Sequence, residues 1–265
     1  IANENFVLVE LESIMHYAEL LMDAGRADEA VSILEDETEW EPEDIELRLQ
    51  LIDAYIATGK NSGAISELDR LIEMTPSNED AREFYHRAFE LALKIQDQQA
   101  LNRYLAAFEK KYPNDWLAGL VRHRVAVQTG NYMAAQTIAD GLMKQFPLNT
   151  ELLEGLLSNW LDYLNYNSTI AEAGLAFLDR WVVASQWNPV ALGTYCLYRS
   201  LYRYIIVQSW PSSYMKNIAI QNALTDLNVA EMNLSVARNT LSEEGKALLD
   251  MIPDFRNELQ AAMGY

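Results

Sequence analysis

Histidine and cysteine are the side chains that would first indicate catalysis or metal binding, and this chain of 265 residues contains few of them. Its histidines are His16, His86 and His123, and its only cysteine is Cys196. None of them stands in an H-E-x-x-H pair, a paired-cysteine motif or a G-x-S-x-G turn, the patterns that bring a nucleophile or metal to its partners. A single thiol also excludes an intramolecular disulfide and a thiolate zinc cluster. We therefore expect no catalysis, no metal ion and no cofactor.

Carboxylates are the abundant ionisable groups, with 39 Asp and Glu against 20 Lys and Arg, a formal net charge of −19. Binding to a phosphate backbone or an anionic membrane needs a basic surface, so both are poor candidate partners. The acids are unevenly distributed: residues 1–90 hold 23 acids and 6 bases, and residues 91–265 hold 16 and 14. We expect partner contacts of residues 1–90 to weaken with added salt, and those of the remainder to be insensitive to it.

The densest run of acids lies between Glu35 and Asp44, with seven carboxylates in ten residues. It spans the predicted end of one helix and the turn into the next, and negative charge is unfavourable near a helix C-terminus. A role in binding a partner or a cation therefore stays open beside a simple solvated surface. The spacing of a calcium-binding loop is absent from this run.

Aromatic side chains crowd a second stretch, residues 181–214, where Arg199 and Arg203 also share one helix face. The aromatic residues are Trp181, Trp187, Tyr195, Tyr198, Tyr202, Tyr204, Trp210 and Tyr214. Such residues fill gaps between helices, but they are also enriched at binding surfaces. The alternative to a packing role is a pocket for a peptide or a sugar-like ligand, with Tyr195, Arg199 and Tyr202 as its candidate residues.

A repeated spacing of glycine, alanine and proline organises the first half of the chain. Gly25, Ala30 and Pro42 recur 34 residues later as Gly59, Ala64 and Pro76, and their internal spacing returns in Gly130, Ala135 and Pro147. Ala100 and Pro113 form a degenerate copy, in which we interpret the glycine as replaced and one residue as inserted. Such a period is typical of proteins built from stacked repeats.

The residues around this spacing predict pairs of helices. Glu10–Ala24, Ile45–Thr58 and Asp80–Ile95 have apolar residues at intervals of three and four, as amphipathic helices do. Glycine favours the left-handed backbone that ends a helix, and the small alanines allow two helices to approach closely. One such hairpin cannot bury its apolar face alone, so the copies must stack. No strand-like alternation and no Gly-rich phosphate loop is present in the sequence.

These residues resemble the tetratricopeptide repeat (TPR) family, with Tyr55 and Phe89 at the aromatic position of the first helix. Ile52, His86 and His123 stand where the family has a small residue, which favours packing roles for the two histidines. The resemblance implies an all-α, right-handed solenoid of helix hairpins. Its domain 1–147 would hold repeats over about 11–44, 45–78, 79–113 and 116–147. We expect 148–265 to continue as degenerate repeats and C-terminal capping helices, over 149–166, 169–186, 190–208, 214–239 and 242–263, with Pro253 kinking or shortening the last.

The resemblance also implies a binding surface, because the first helices of such repeats line a concave groove that holds an extended or helical peptide. The positions matching the groove in the first two copies are Glu12, Met15, Glu19, Met22 and Asp23, then Glu46, Leu49, Asp53, Ile56 and Ala57. In the next two copies they are Asp80, Glu83, Arg87, Glu90 and Leu91, then Leu117, Leu120, Arg124, Val127 and Gln128. This wall favours a basic, partly apolar peptide over the acidic tails that one TPR subclass binds. A solvated acidic face without a ligand is the alternative.

The sequence therefore predicts a non-catalytic scaffold for protein–protein interaction. Two alternatives remain: the substrate-recognition arm of a larger enzyme, for example of the glycosyltransferase type, or a solenoid that self-assembles through its aromatic half. The most apolar stretch, 190–210, is interrupted by Arg199 and Arg203, which favours a buried helix over a membrane span. Cytoplasm and bacterial envelope both remain open as locations.

Overall fold

The computed structural model describes residues 2–75, 78–162, 168–208 and 214–263. Within these ranges the regular structure is α-helical, apart from the short 3-10 helix Arg238–Thr240. Side-chain caps explain several of the helix starts, because an Asp, Asn or Ser oxygen accepts a hydrogen bond from a backbone N–H of the first turn. The capping residues are Asp44, Asp97, Asn131, Asn149 and Ser242. The expectation of an all-α fold is confirmed.

The chain divides into two compact units. Unit 1 is Ile1–Asp115 and unit 2 is Trp116–Tyr265. Unit 1 contains three helix pairs: α1 (Ala2–Asp23) with α2 (Ala27–Trp40), α3 (Ile45–Ala57) with α4 (Asn61–Met74), and α5 (Asn78–Lys94) with α6 (Gln98–Lys111). Consecutive helices from α1 to α6 contact one another, so that each pair packs on the next.

In its described residues, unit 2 contains seven helices, again packed against their neighbours in the chain. They are α7 (Leu117–Gln128), α8 (Tyr132–Gln145), α9 (Thr150–Leu161), α10 (Ser168–Ala184), α11 (Pro189–Gln208), α12 (Tyr214–Val236) and α13 (Glu243–Ala262). The most extensive contact between two helices is that of α11 with α12. Pro253 lies inside α13, which continues to Ala262, so the proline does not shorten this helix.

The turn between the two helices of a pair repeats the same backbone geometry. Gly25, Gly59 and Gly130 have φ of +73°, +72° and +72°, the left-handed region predicted for them. In each turn the next residue donates its N–H to a carbonyl five residues earlier, as Lys60 does to Tyr55 at 2.8 Å. These bonds satisfy carbonyls that the end of a helix leaves without intrahelical partners.

The third pair makes this turn with a glutamine. Gln96 has φ of +57°, and the following Asp97 donates its N–H to the Ala92 carbonyl at 2.9 Å. Gln96 precedes Pro113 by 17 residues, the distance that separates Gly25 from Pro42. The prediction of an inserted residue in this second helix was therefore wrong. The extra length lies in α5, which has 17 residues where α3 has 13.

This register corrects the assignment of several residues in the third pair. In the second pair, the Ala64 N–H donates to the carbonyl of Lys60, the residue that follows the turn glycine. In the third pair, the N–H that donates to the equivalent Asp97 carbonyl is that of Leu101. Leu101, not Ala100, therefore holds the alanine position. Counted back from the turn, Phe89 takes the place of Ile52, and Ala92 that of Tyr55. His86 is exposed, so its predicted packing role was wrong.

We expect Gln96→Gly to stabilise the protein by about 1 kcal/mol, because glycine adopts a positive φ without the steric cost that other residues incur. The matched control is Gly130→Gln, which introduces that cost at the equivalent turn and should destabilise by a similar amount. Chemical denaturation of both variants checks this expectation. A loss of stability in Gln96→Gly would show that the glutamine side chain contributes more than its backbone strain costs.

Candidate functional site

The first helices of unit 1 place most of the predicted groove residues on one surface, which we call the first-helix face. It is made by α1, α3 and α5. Gln50 of α3 donates a hydrogen bond to Glu19 of α1 at 3.1 Å, which shows that these two helices lie side by side there. The carboxylates Glu12, Glu19, Asp23, Glu46 and Asp53 are exposed, as is Ala57, whereas Met15, Met22, Leu49 and Ile56 are half-buried.

In α5 the corrected register changes which residues belong to this face. The positions equivalent to those in α1 and α3 are Glu83, His86, Glu90, Leu93 and Lys94. Of the positions projected from the sequence, Leu91 lies in the core at 3% exposure, which corrects its assignment, and the side chain of Asp80 lies outside the described residues. Only Glu83 and Glu90 therefore belong both to the positions projected from the sequence and to the corrected register. His86 and Lys94 were missed because Gln96 lies 37 positions after Gly59, whereas Gly59 lies 34 after Gly25, which shifts the projection by three residues.

Arg87 was projected onto the first-helix face, but in the corrected register Glu90, three residues later, takes that position. Arg87 nevertheless influences the face. Its Nε lies 3.5 Å from the Glu83 carboxylate on the same helix, and its charge also lowers the pKa of Asp53 in α3. The larger effect on Asp53 is loss of solvation, so that the pKa of this carboxyl is raised overall. Asp53 is thus a carboxylate whose charge the surrounding protein incompletely compensates.

The acidic run of unit 1 lies on a different surface. Glu35, Asp36 and Glu39 of α2 line a cavity of about 500 Å³, whose other walls come from α3 and α4. The floor is a buried ion pair between Arg48 and Glu67, and the Arg48 Nε also donates to the Pro42 carbonyl at 2.9 Å. The remaining lining residues are Thr38, Leu51, Tyr55 and Arg70.

Tyr55 closes one side of this cavity. Its hydroxyl donates to Glu35 at 2.7 Å, and burial raises its pKa to about 12. The α4 backbone approaches the ring so closely that a Cβ on Gly63 would lie 2.9 Å from it. The aromatic residue predicted from the repeat pattern thus packs α3 against α4.

The groove positions projected onto α7 of unit 2 are mostly interior. Leu117 and Val127 are buried, and Leu120 packs so tightly on α9 that a Cβ on Gly155 would lie 2.7 Å from its side chain. Arg124 is half-buried and Gln128 exposed. Leu117 and Val127 are therefore removed from the surface, and Leu120 is partly covered by α9.

His123 of α7 has the structural role that the sequence predicted. It is fully buried, its ring lies edge-on to Trp160 with centroids 4.5 Å apart, and its Nδ1 lies 3.1 Å from the Asn159 amide nitrogen. Burial lowers its pKa to about 3. The imidazole is therefore neutral at physiological pH. Asn159 was missed because an asparagine within an apolar helix carries no recognisable signal.

The aromatic cluster divides between core and surface. Tyr195 and Tyr202 are each 1% exposed and belong to the core between α9, α10 and α11, whereas Trp187 is 88% exposed. Trp210 and the side chain of Tyr214 lie outside the described residues. Because Tyr195 is enclosed by the core, it cannot contact a partner at the surface, which corrects its assignment to a pocket.

Tyr202 lies at the edge of a small apolar pocket between α9 and α11. The pocket has a volume of about 230 Å³, and Tyr198 at its rim donates to Glu154 at 2.5 Å. A Cβ on Gly174 would lie 2.2 Å from the Tyr202 hydroxyl, so α10 approaches the ring closely. Among the described residues that hydroxyl has no hydrogen-bond partner.

Arg199 faces away from this pocket and belongs to a network of charges. Its Nε donates to Asp226 of α12 at 2.9 Å and its Nη1 to Asp179 of α10 at 2.8 Å. Arg203 donates to the same Asp226 at 3.0 Å. The sequence predicted the two arginines on one face but not their acids, which lie 20 to 27 residues away in the chain.

Among the described residues, neither the cysteine nor any cluster of metal-ligating side chains is arranged for catalysis or metal binding. Cys196 is buried, and loss of solvation raises its pKa to about 11, so it is a thiol at physiological pH. No group of three or more His, Cys, Asp or Glu side chains is arranged to hold a metal ion in the part of the chain searched. None of the described helices is long and apolar enough to cross a bilayer.

Comparison with known proteins agrees with the turn geometry. Residues 21–87, which lie in unit 1, match the family model of the tetratricopeptide repeat. Residues 21–87 therefore carry tetratricopeptide repeat sequence, as the spacing of Gly25, Ala30 and Pro42 indicated. A comparison with curated proteins gave no match.

Two solved structures are similar to the chain at 12% sequence identity each. One is a tetratricopeptide repeat protein from Parabacteroides merdae, with a TM-score of 0.44, covering 91% of this chain and 98% of its own. The other is the TPR domain of P58(IPK), with a TM-score of 0.26, covering 95% and 99%.

We expect the stability difference between the native chain and His123→Gln to depend on pH. Because the folded pKa of His123 lies below that of an unfolded histidine, the unfolded state binds the proton first, and stability is lost as pH falls below about 6.5. This loss should reach about 1.4 kcal/mol per pH unit between roughly pH 6 and pH 4. Urea denaturation of both proteins over this range checks it; parallel pH profiles would contradict the buried, neutral histidine.

We expect Asp226→Asn to destabilise the protein by about 3 kcal/mol, because it leaves two largely buried arginines without their shared carboxylate. The matched control is Asp250→Asn, whose partner Arg238 lies 3.6 Å away at the surface, and which should change stability little. Thermal unfolding measures both. Equal effects of the two substitutions would exclude a special role for the α10–α12 network.

Proposed function

We propose that this protein is a non-catalytic interaction scaffold, and that the first-helix face of unit 1 binds a basic, partly apolar segment of a partner protein. Tetratricopeptide repeats generally mediate protein–protein interaction, and the family match lies in this unit. The observation that carries the proposal is the arrangement of exposed carboxylates and half-buried apolar side chains on adjacent helices of that face.

The composition of the face supports this choice of partner. Exposed carboxylates of α1 and α3 alternate with half-buried apolar side chains such as Met15 and Ile56. The carboxylates attract and orient a cationic segment, while the apolar side chains offer area whose burial stabilises the complex. Methionine is well suited to such contact because its flexible side chain adapts to different partners.

Asp53 adds an energetic argument. Asp53 still reaches solvent, but partial loss of solvation raises its pKa, and such a group lowers the stability of the folded chain while it is ionised. A cation from a partner would compensate this charge more fully than Arg87 does. Retaining such a residue at a cost in stability is typical of positions that serve binding.

We expect Asp53→Asn to weaken binding of a cationic probe while leaving the fold as stable as before, or more stable. The probe is a labelled peptide of alternating lysine and leucine, titrated by fluorescence anisotropy in low and high salt. Loss of one charge pair should raise the Kd by about fivefold, and the difference should shrink as salt screens the pair. Melting temperature is measured in parallel.

Two controls accompany this experiment. Asp250→Asn removes an exposed carboxylate of unit 2 and should leave probe binding unchanged. A glutamate–leucine peptide of equal length should bind at least tenfold more weakly than the lysine–leucine peptide. Equal binding of both peptides, or unchanged binding by Asp53→Asn, would exclude the first-helix face as the site.

A further inference from the structure

The outer side of α1 presents an apolar strip to solvent. Its apolar residues are Tyr17 and Leu20, which are 50% and 52% exposed; the exposed, polar Ser13 and the exposed Ala24 just beyond the helix flank them. These residues lie 12, 8, 5 and 1 positions before the turn residue Gly25. We call them the α1 outer face.

The equivalent face of α3 is buried. The residues at the same four distances from Gly59 are Leu47, Leu51, Ala54 and Thr58. Leu47 and Ala54 are inaccessible and Leu51 is 2% exposed. These three belong to the same core cluster as Leu34 of α2, so the preceding hairpin covers this face.

The third pair repeats the arrangement. In α5 the positions counted from Gln96 hold Phe84, Ala88 and Leu91, and all three are buried. The helix that contacts α5 from the preceding pair is α4. In both cases, therefore, the face is closed by the second, amphipathic helix of a neighbouring hairpin, and only in α1 is it open among the first helices of unit 1.

Charge decides which occupant suits the α1 outer face. The same helix carries the exposed carboxylates Glu12, Glu19 and Asp23, and residues 1–90 have 23 acids against 6 bases. Pairing two copies of this chain through α1 would bring two such acidic surfaces together, which is unfavourable. A helix with basic residues beside its apolar strip would meet both the apolar and the acidic parts of the surface.

We propose that the α1 outer face docks an amphipathic helix of a partner protein, with small and branched apolar residues on one side and basic residues at its flanks. The docked helix takes the place that α2 takes on α3. Its apolar residues differ from those of the first-helix face, but the two surfaces share the carboxylates Glu12, Glu19 and Asp23, so the choice of a basic partner rests on the function proposed above.

The test uses the full chain and a synthetic helix as probe. The probe copies residues 26–41, retaining Ala30, Val31 and Leu34, with every acid replaced by lysine. Binding is measured by anisotropy, and protection of α1 amides by hydrogen exchange. We expect saturable binding that protects α1, and at least tenfold weaker binding to the double variant Tyr17→Gln, Leu20→Gln.

Because Tyr17 and Leu20 are exposed, the double variant should keep its melting temperature, and a fall in melting temperature would overturn the proposal by showing the strip to be part of the core. The control Met133→Gln removes an 82% exposed apolar side chain from unit 2 and should bind the probe normally. Asp53→Asn should do the same, which separates this surface from the first-helix face.

Three further outcomes would overturn the proposal. They are an absence of saturable binding, equal binding by the double variant, and equal binding of the unmodified, acidic sequence of residues 26–41. Sedimentation supplies a fourth: a dimer of the native chain that the double variant abolishes would assign the face to a second copy.

Discussion

Each helix pair of this protein depends on its neighbours to bury an apolar surface that it cannot bury by itself. Ala30 and Ala64 are inaccessible to solvent because the two helices of a pair meet at these small side chains. The apolar sides that remain face the next pair, where Leu47 and Leu51 join Leu21 and Leu34 in one cluster. Since burial of apolar area is the main favourable contribution to folding, a pair without a neighbour retains an unsatisfied surface. The exposed strip on α1 is such a surface.

The same constraint explains how substitutions at the small positions are accommodated. Leu101 replaces alanine in the third pair and is still buried, at 2% exposure, and aromatic rings pack between the two helices of this pair. Phe108 contacts Tyr85 and Phe89 edge-on, with centroids 5.4 and 5.6 Å apart. The fold therefore tolerates large residues where the opposing helix offers matching ones, since close packing needs complementary volumes.

Charge is handled differently in the two units. In unit 2 the acids Asp226 and Asp179 are neutralised by arginines from a neighbouring helix, and Asp140 accepts from both Arg180 and Trp181. In unit 1 the carboxylates of the first-helix face include Asp53, whose charge loss of solvation makes unfavourable. The uneven acidity seen in the sequence therefore lies mainly in exposed carboxylates of unit 1.

Local signals in the sequence determined the helical fold, the turn positions and the repeat type of residues 21–87, because periodic apolar residues and glycines act within a few residues of themselves. Gly25, Gly59 and Gly130 could be assigned without any coordinates, and so could the packing role of His123. The register of the third pair could not, since a glutamine can occupy the same left-handed turn and three residues can be added to α5 without disturbing its amphipathic pattern.

Tertiary structure alone decided which side chains reach solvent. Tyr195 and Leu91 carry no local mark that distinguishes core from surface, because an amphipathic helix can be covered on more than one side. The partners of Arg199 and the open face of α1 likewise depend on which helices lie beside them, and those helices are distant in the chain.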